Sequence, residues 1–161
     1  MRYRYITCPD VCNGKGCRVV LWLQGCTHHC KGCQNPETWC FNNGKEFDAK
    51  AKDKLIKLLK LPYIKGLTLS GGDPLDSYQD VYELLVELKE LFKDKDIWLY
   101  TGYTLDEIEN SDKHIVLDYI DYLIDGTYQE KLRDITLAFR GSSNQTIWEK
   151  KNGKFVKSSL N

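Results

Sequence analysis

The chain has 161 residues, 42% of them hydrophobic, which suits one domain with a real core and falls well short of a closed eight-fold (β/α) barrel of ~250 residues. Lys+Arg and Asp+Glu each number 23, and the zero net charge is well mixed, so neutralising nucleic acid or an anionic membrane surface is excluded as the main task. No apolar run reaches the ~18 residues of a membrane span or follows Met1 at signal-peptide length, so the expected location is the cytoplasm.

The first firm strand is the apolar, β-branched run Val19-Val20-Leu21-Trp22-Leu23, and it leads into a Cys- and His-rich loop over residues 25–35. A helix is predicted over 48–61. Its Ala51, Leu55, Leu58 and Leu59 fall on one face, and Pro62 stops it. Residues 66–70 read as a second strand ended by Gly71-Gly72-Asp73-Pro74. A long helix is predicted over 78–92, with Ser77 as N-cap and Val81, Leu84, Leu85, Leu88, Leu91 and Phe92 as its buried stripe. Residues 97–100 form a third strand, short helices follow near 104–110 and 113–119, and residues 122–124 form a fourth strand. Asn152-Gly153 within 148–156 predicts a small antiparallel hairpin. Alternating strands and helices imply right-handed crossovers and a mostly parallel sheet over a single domain, 1–161. Ligands of such sheets sit at the strand carboxyl ends, which here carry Gln24-Gly25, Ser70-Gly71-Gly72-Asp73, Thr101-Gly102 and Asp125-Gly126.

Seven cysteines, an odd count, cannot all pair internally, and in the cytoplasm clustered thiols bind metal or do chemistry. Three of them stand in Cys26-Thr27-His28-His29-Cys30-Lys31-Gly32-Cys33, on a loop that can wrap one compact object. Three thiolates leave a tetrahedral zinc site incomplete, but they suit a cubane iron–sulfur cluster with one iron open to a substrate. Two alternatives stand beside this reading. His28 or His29 completes a Cys3His zinc site of an interaction module, or Cys40 closes the cluster as a fourth ligand.

The Cys26/Cys30/Cys33 spacing resembles the signature of the radical S-adenosylmethionine superfamily, and Ser70-Gly71-Gly72-Asp73-Pro74 resembles its glycine-rich motif. Further segments match in order over residues 5–148: Asn13-Gly14-Lys15-Gly16-Cys17-Arg18, Trp98-Leu99-Tyr100-Thr101-Gly102-Tyr103, Ile124-Asp125-Gly126 and Arg140-Gly141-Ser142-Ser143-Asn144-Gln145. Together they resemble the activating enzymes of anaerobic, class III ribonucleotide reductase. The resemblance implies an α/β fold, a partial, open (β/α) barrel with the small C-terminal hairpin. It implies one 4Fe-4S cluster on Cys26, Cys30 and Cys33, with S-adenosylmethionine held at Gly32, Cys33, Gln34, Gly71, Gly72 and Asp73. It also implies a one-electron donor such as a flavodoxin or ferredoxin. The expected reaction is reductive cleavage of S-adenosylmethionine to a 5′-deoxyadenosyl radical, which takes a hydrogen atom from a glycine Cα of the reductase large subunit. Activation of another glycyl-radical enzyme, or action on a small molecule, is the nearest alternative within the superfamily.

The chain departs from the family pattern at Lys15, where Pro is frequent, and at Gln34, where Tyr usually follows the third cysteine. Cys8, Cys12, Cys17 and Cys40 are expected to be packed or surface thiols. His28 and His29 are expected to be solvated loop residues that tune the cluster's surroundings. Asp73 either orients the methionine amino group or caps the next turn. Trp22, Trp98, Tyr100 and Tyr103 read as core aromatics, Thr101 and Asp125 as candidate pocket residues. Arg140 is expected to face a partner or an internal carboxylate.

Overall fold

The computed structural model describes residues 1–161. Its eight strands are β1 (Arg2–Asp10), β2 (Arg18–Leu23), β3 (Lys45–Glu46), β4 (Gly66–Gly71), β5 (Asp96–Tyr100), β6 (Tyr122–Asp125), β7 (Thr146–Lys151) and β8 (Lys154–Lys157). They form one sheet in the order β3-β1-β2-β4-β5-β6-β7-β8. The four central strands β2, β4, β5 and β6 are parallel, and antiparallel strands flank them on both sides. The sheet is open, as the predicted partial barrel requires.

Two helices and a weaker segment make the three crossovers. Helix α1 (Ala49–Leu59) starts where the Asp48 carboxylate accepts the Ala51 N–H at 2.8 Å, and it buries Ala51, Leu55 and Leu59 at helical spacing. Helix α2 (Tyr78–Leu91) buries Val81, Leu84, Leu85 and Leu88. The last crossover is the short helix α3 (Leu105–Glu109), capped reciprocally by Thr104 and Glu107, followed by 3-10 turns over Asp112–Tyr119.

Two expectations need correction, and strands β1 and β3 were not expected at all. Strand β1 carries no long apolar run; its partly exposed alternation becomes a strand by pairing antiparallel with β2. Ser77 does not cap α2, because a 3-10 turn over Pro74–Ser77 runs straight into the helix and is itself capped by Asp73. Leu91 is 53% exposed, because the helix ends there and the turn at Phe92 sends that ring inward instead.

Register divides the parallel strands into two faces. Val19, Leu21, Leu23, Leu67, Leu69, Ile97, Leu99 and Leu123 point to the helices and form one aliphatic core. The opposite face carries the cross-strand row Val20-Thr68-Trp98-Tyr122 and, one step toward the strand carboxyl ends, the pairs Trp22-Ser70 and Tyr100-Ile124. No helix covers this face. At its far end the fully buried Arg18 donates to Thr68 Oγ1, pairs with Asp96 at 2.6 Å and lies over the Trp98 ring. At the C-terminus, Asn152 and Gly153 both have positive φ, the turn that fits a twisted two-residue hairpin.

Candidate active site

The strand carboxyl ends and the loops after them enclose a cleft of about 470 Å³ that Cys26, Cys30 and Cys33 all line. All three thiols are free. The cysteine loop is held by backbone bonds to its neighbours. Gly25 N–H donates to Thr38 O, Cys26 N–H to Trp39 O, and Cys33 N–H to Cys30 O. The Gln24 amide ties the loop's two arms together through the carbonyls of Glu37 and Cys40. Thr27 N–H donates to Asp76 Oδ2 at 2.7 Å.

The Gly71-Gly72 pair is required by close approach of β4 to this loop. Gly71 has φ +108, and a Cβ there would stand 2.5 Å from the Leu23 carbonyl oxygen; a Cβ on Gly72 would overlap the carbonyl of Gly25. The approach is sealed by Gly72 N–H to Leu23 O at 2.9 Å and Asp73 N–H to Gly25 O at 2.8 Å.

Asp73 is the hub of the site. It is 2% exposed, and its Oδ1 accepts Leu75 N–H and the Thr101 hydroxyl, both at 2.9 Å. Its Oδ2 accepts Gly102 N–H at 2.8 Å and lies 2.9 Å from His28 Nε2. One carboxylate thus joins the ends of β4 and β5 to the cysteine loop. His28 is half-buried, with its ring against Tyr103 and in the space a Gly102 side chain would need. The hydrogen bond to Asp73 holds its pKa above the ordinary imidazole range, against the opposing effect of burial. His28 is therefore a structural latch, not the solvated residue expected. His29 does stay exposed and packs on Trp39.

Burial keeps two of the three thiols protonated in the absence of a metal, but backbone N–H groups are aimed at all three sulfurs. Burial pushes Cys26 up to about 11, but the backbone N–H groups of His28 and His29 act on it in the opposite direction. Burial also raises Cys30, opposed by the backbone N–H of Tyr128, and Asn35 N–H donates to Cys33 Sγ at 3.3 Å. A metal centre displaces the thiol protons, and these N–H groups then stabilise the sulfur charge. No three His, Cys, Asp or Glu side chains converge as one metal ion requires. The three thiols instead rim a shared cleft, which fits a polynuclear cluster.

Of the other expected residues, Gln34, Thr101 and Arg140 line the cleft, whereas Gly32 and Asp125 do not. Gly32, at φ +72, turns the loop against Glu130, and Asp125 accepts the Leu105 N–H at the start of α3. Arg140 faces no carboxylate: its Nη1 donates to Gln145 O and Asn161 Oδ1. Lys15 is exposed, and its carbonyl accepts from Arg18. Cys12 is exposed and borders the cleft; Cys8 and Cys17 pack against the core; Cys40 is exposed outside the cleft. Trp98 is core as expected, but Trp22 and Tyr100 line the cleft. Phe139 and Tyr128, which the sequence did not single out, line it too, brought there by the long loop after β6. Nothing in their local spacing could have placed them.

A cleft at the ends of parallel strands, with three free cysteines on the loop after the first of them, defines an iron–sulfur domain of α/β type. The profile of the family described as the 4Fe-4S single cluster domain matches residues 12–148. Among curated relatives, the chain is 42% identical to the anaerobic ribonucleoside-triphosphate reductase-activating protein of Enterobacteria phage T4, over 95% of this chain and 97% of that one. It is 44% identical to the protein of the same name from Vibrio cholerae and 40% identical to that of Escherichia coli, each over 91% of this chain and 97% of the relative. The chain belongs to the family of anaerobic ribonucleoside-triphosphate reductase-activating proteins. No helix is long and apolar enough to cross a membrane.

Proposed function

We propose that this chain activates an anaerobic ribonucleotide reductase by generating a glycyl radical on its large subunit, working in the cytoplasm as one unit of residues 1–161. The observation that carries the reading is that Cys26, Cys30 and Cys33 all line the one cleft that Gly71, Gly72 and Asp73 also line. The three cysteines hold one 4Fe-4S cluster, which supplies an electron for reductive cleavage of S-adenosylmethionine. The electron comes from an external donor of the flavodoxin or ferredoxin kind.

The chain's own residues position and exclude. Cys33 and Gln34 on one side, and the carbonyl edge of Gly71 and Gly72 on the other, border the methionine end of S-adenosylmethionine. Gly32 makes the turn that brings Cys33 round. Asp73 has four neighbouring donors already, so it acts by fixing the wall of this pocket rather than by offering a spare acceptor. His28 locks the cysteine loop to that wall. Gln34 places an amide at the rim, where its Nε2 lies near Gly141.

Anaerobic reconstitution tests the reading. The chain should take up about four irons with sulfide, turn brown and cleave S-adenosylmethionine under reduction. Ala at Cys26, Cys30 or Cys33 should abolish both properties, while Ala at Cys8, Cys17 or Cys40 should not. A glycyl radical signal in electron paramagnetic resonance should appear only when the reductase is added. Full cleavage by each of the three cysteine variants would overturn the ligand assignment. A colourless protein with stoichiometric zinc would overturn the enzyme.

A further inference from the structure

Between two residues that line the cleft, Tyr128 and Leu137, the chain makes an excursion whose only regular structure is a 3-10 turn over Glu130–Leu132. Its base is stapled by the segment that follows. Asn144 Nδ2 donates to Thr127 O at 2.8 Å, and Gln145 Nε2 donates to Gly126 O at 3.0 Å. Gln145 Oε1 accepts the N–H groups of Gly141 and Ser142, and the Ser142 hydroxyl accepts Gln129 N–H. Backbone bonds cross the excursion from Ser143 N–H to Leu132 O and from Asp134 N–H to Gly141 O. The polar side chains of this segment are thus spent on building a loop with a defined shape.

What that loop presents to solvent is apolar. Ile135 is 86% exposed, and Leu132 is exposed as well. Val11, 64% exposed, stands directly before Cys12 and Asn13, which also line the cleft. One exposed apolar side chain is ordinary, but three beside the lining of a single opening mark a contact surface. Of the loop's charges, Glu130 faces Lys31 at 3.8 Å and Asp134 accepts the Thr136 hydroxyl at 2.6 Å, which leaves the exposed Lys131 and Arg133 uncommitted.

The opening itself says what rests there. The chain belongs to a family that activates another protein, and the three cysteines lie in a cleft of about 470 Å³. A folded protein can enter a cleft of that size only by a short segment, so its body must lie on the rim. The excursion belongs to the rim, because the chain leaves the cleft at Tyr128 and returns to it at Leu137. A second copy of this chain seated on the same loop would obstruct that approach.

We infer that Ile135 and Leu132, with Val11, form the apolar centre of the surface on which the reductase large subunit docks, and that Lys131 and Arg133 meet carboxylates of that subunit at its edge. The inference rests on the activating function proposed above and goes beyond it by naming the docking surface.

The experiment uses the reconstituted holoenzyme with the reductase large subunit. The wild-type protein must first raise the glycyl radical signal; if it does not, the activating function fails and the docking surface is not at issue. Ile135→Asp and Leu132→Asp should each raise the KM for the reductase about tenfold. Ile135→Leu, which keeps an apolar side chain, should restore the wild-type KM. Iron content and cleavage of S-adenosylmethionine in the absence of the reductase should stay at wild-type values in all three. Leu91→Asp places the same charge on the exposed leucine that ends α2, away from the cleft, and should leave KM unchanged. Added salt should raise the wild-type KM, and replacing Lys131 and Arg133 together by Ala should flatten that rise. An unchanged KM in both Asp variants would overturn the inference, even if either variant altered the association of the chain with itself. So would an equal rise in KM for Leu91→Asp, or a salt dependence that the double Ala variant leaves intact. A fall in iron content or in cleavage without the reductase would place the loop in the cofactor pocket and overturn it too.

Discussion

Asp73→Asn is the sharpest perturbation of the scaffold. The asparagine oxygen can take the place of Oδ1 and keep Leu75 N–H and the Thr101 hydroxyl. Its amide then occupies the Oδ2 position and presents N–H groups to Gly102 N–H at 2.8 Å and to His28 Nε2 at 2.9 Å. A hydrogen bond to a charged acceptor contributes ~1.5–3 kcal/mol, and a buried donor left without an acceptor costs ~1–3 kcal/mol. Losing the charged contacts at Gly102 and His28 should therefore destabilise the protein by about 3–4 kcal/mol, on the order of 10 °C in Tm for a chain of this size. Urea unfolding of the reduced, cluster-free protein measures it: the midpoint should fall with m unchanged. His28→Ala should weaken the effect of Asp73→Asn when the two are combined, because one contact is then already gone. A loss below about 1 kcal/mol for Asp73→Asn, or strict additivity with His28→Ala, would refute the view of Asp73 as the hub that ties the cysteine loop to β4 and β5.

Two glycines should respond to Ala for different reasons, and paired unfolding curves will separate them. Gly72→Ala drives a Cβ into the Gly25 carbonyl and should cost about 3 kcal/mol and lower iron uptake; Gly153→Ala meets no atom within 4 Å and should cost only the ~1–2 kcal/mol of a left-handed residue. Asp96→Ala leaves the buried Arg18 guanidinium without its partner and should cost about 3 kcal/mol, read as a shift in the urea midpoint. Hydrogen bonds from Thr104 hold the Glu107 carboxylate below its ordinary pKa, with a smaller opposing effect of burial. Its contribution should be complete above the unfolded value of ~4.3 and vanish as pH falls through the lower folded value, so the Tm difference between wild type and Glu107→Gln should close in acid.

Much of the fold was legible because local pattern and tertiary environment agree. The parallel strands 19–23, 66–70, 97–100 and 122–124 are apolar runs, and buried parallel strands take that form. The Asp48 cap, the 3.6-residue stripe of α1 and the Asn152-Gly153 turn are chemical signals carried within a few residues. Strand β1 escaped because it is a half-exposed antiparallel strand that shows no long apolar run and takes its form from pairing with β2.

The site divides along the same line. The sequence by itself determined the three cysteines and the Gly-Gly-Asp motif, because ligand spacing on one loop and a turn at a strand end are local facts. It also limited the chain to an open sheet, since 161 residues do not close eight (β/α) units. Only the tertiary structure decided what Asp73 and His28 do. Asp73 is both a cap and a clasp because β5 lies beside β4 and delivers Thr101 and Gly102 to it. His28 is a latch because the cysteine loop folds back over that same carboxylate. Tyr100 looks like any core aromatic in the strand pattern, yet register turns it away from the helices and into the lining of the cleft. Contacts between residues so far apart in the chain, such as Asp73 with Thr101 or with His28, are made by the sheet's order, and no local spacing encodes them.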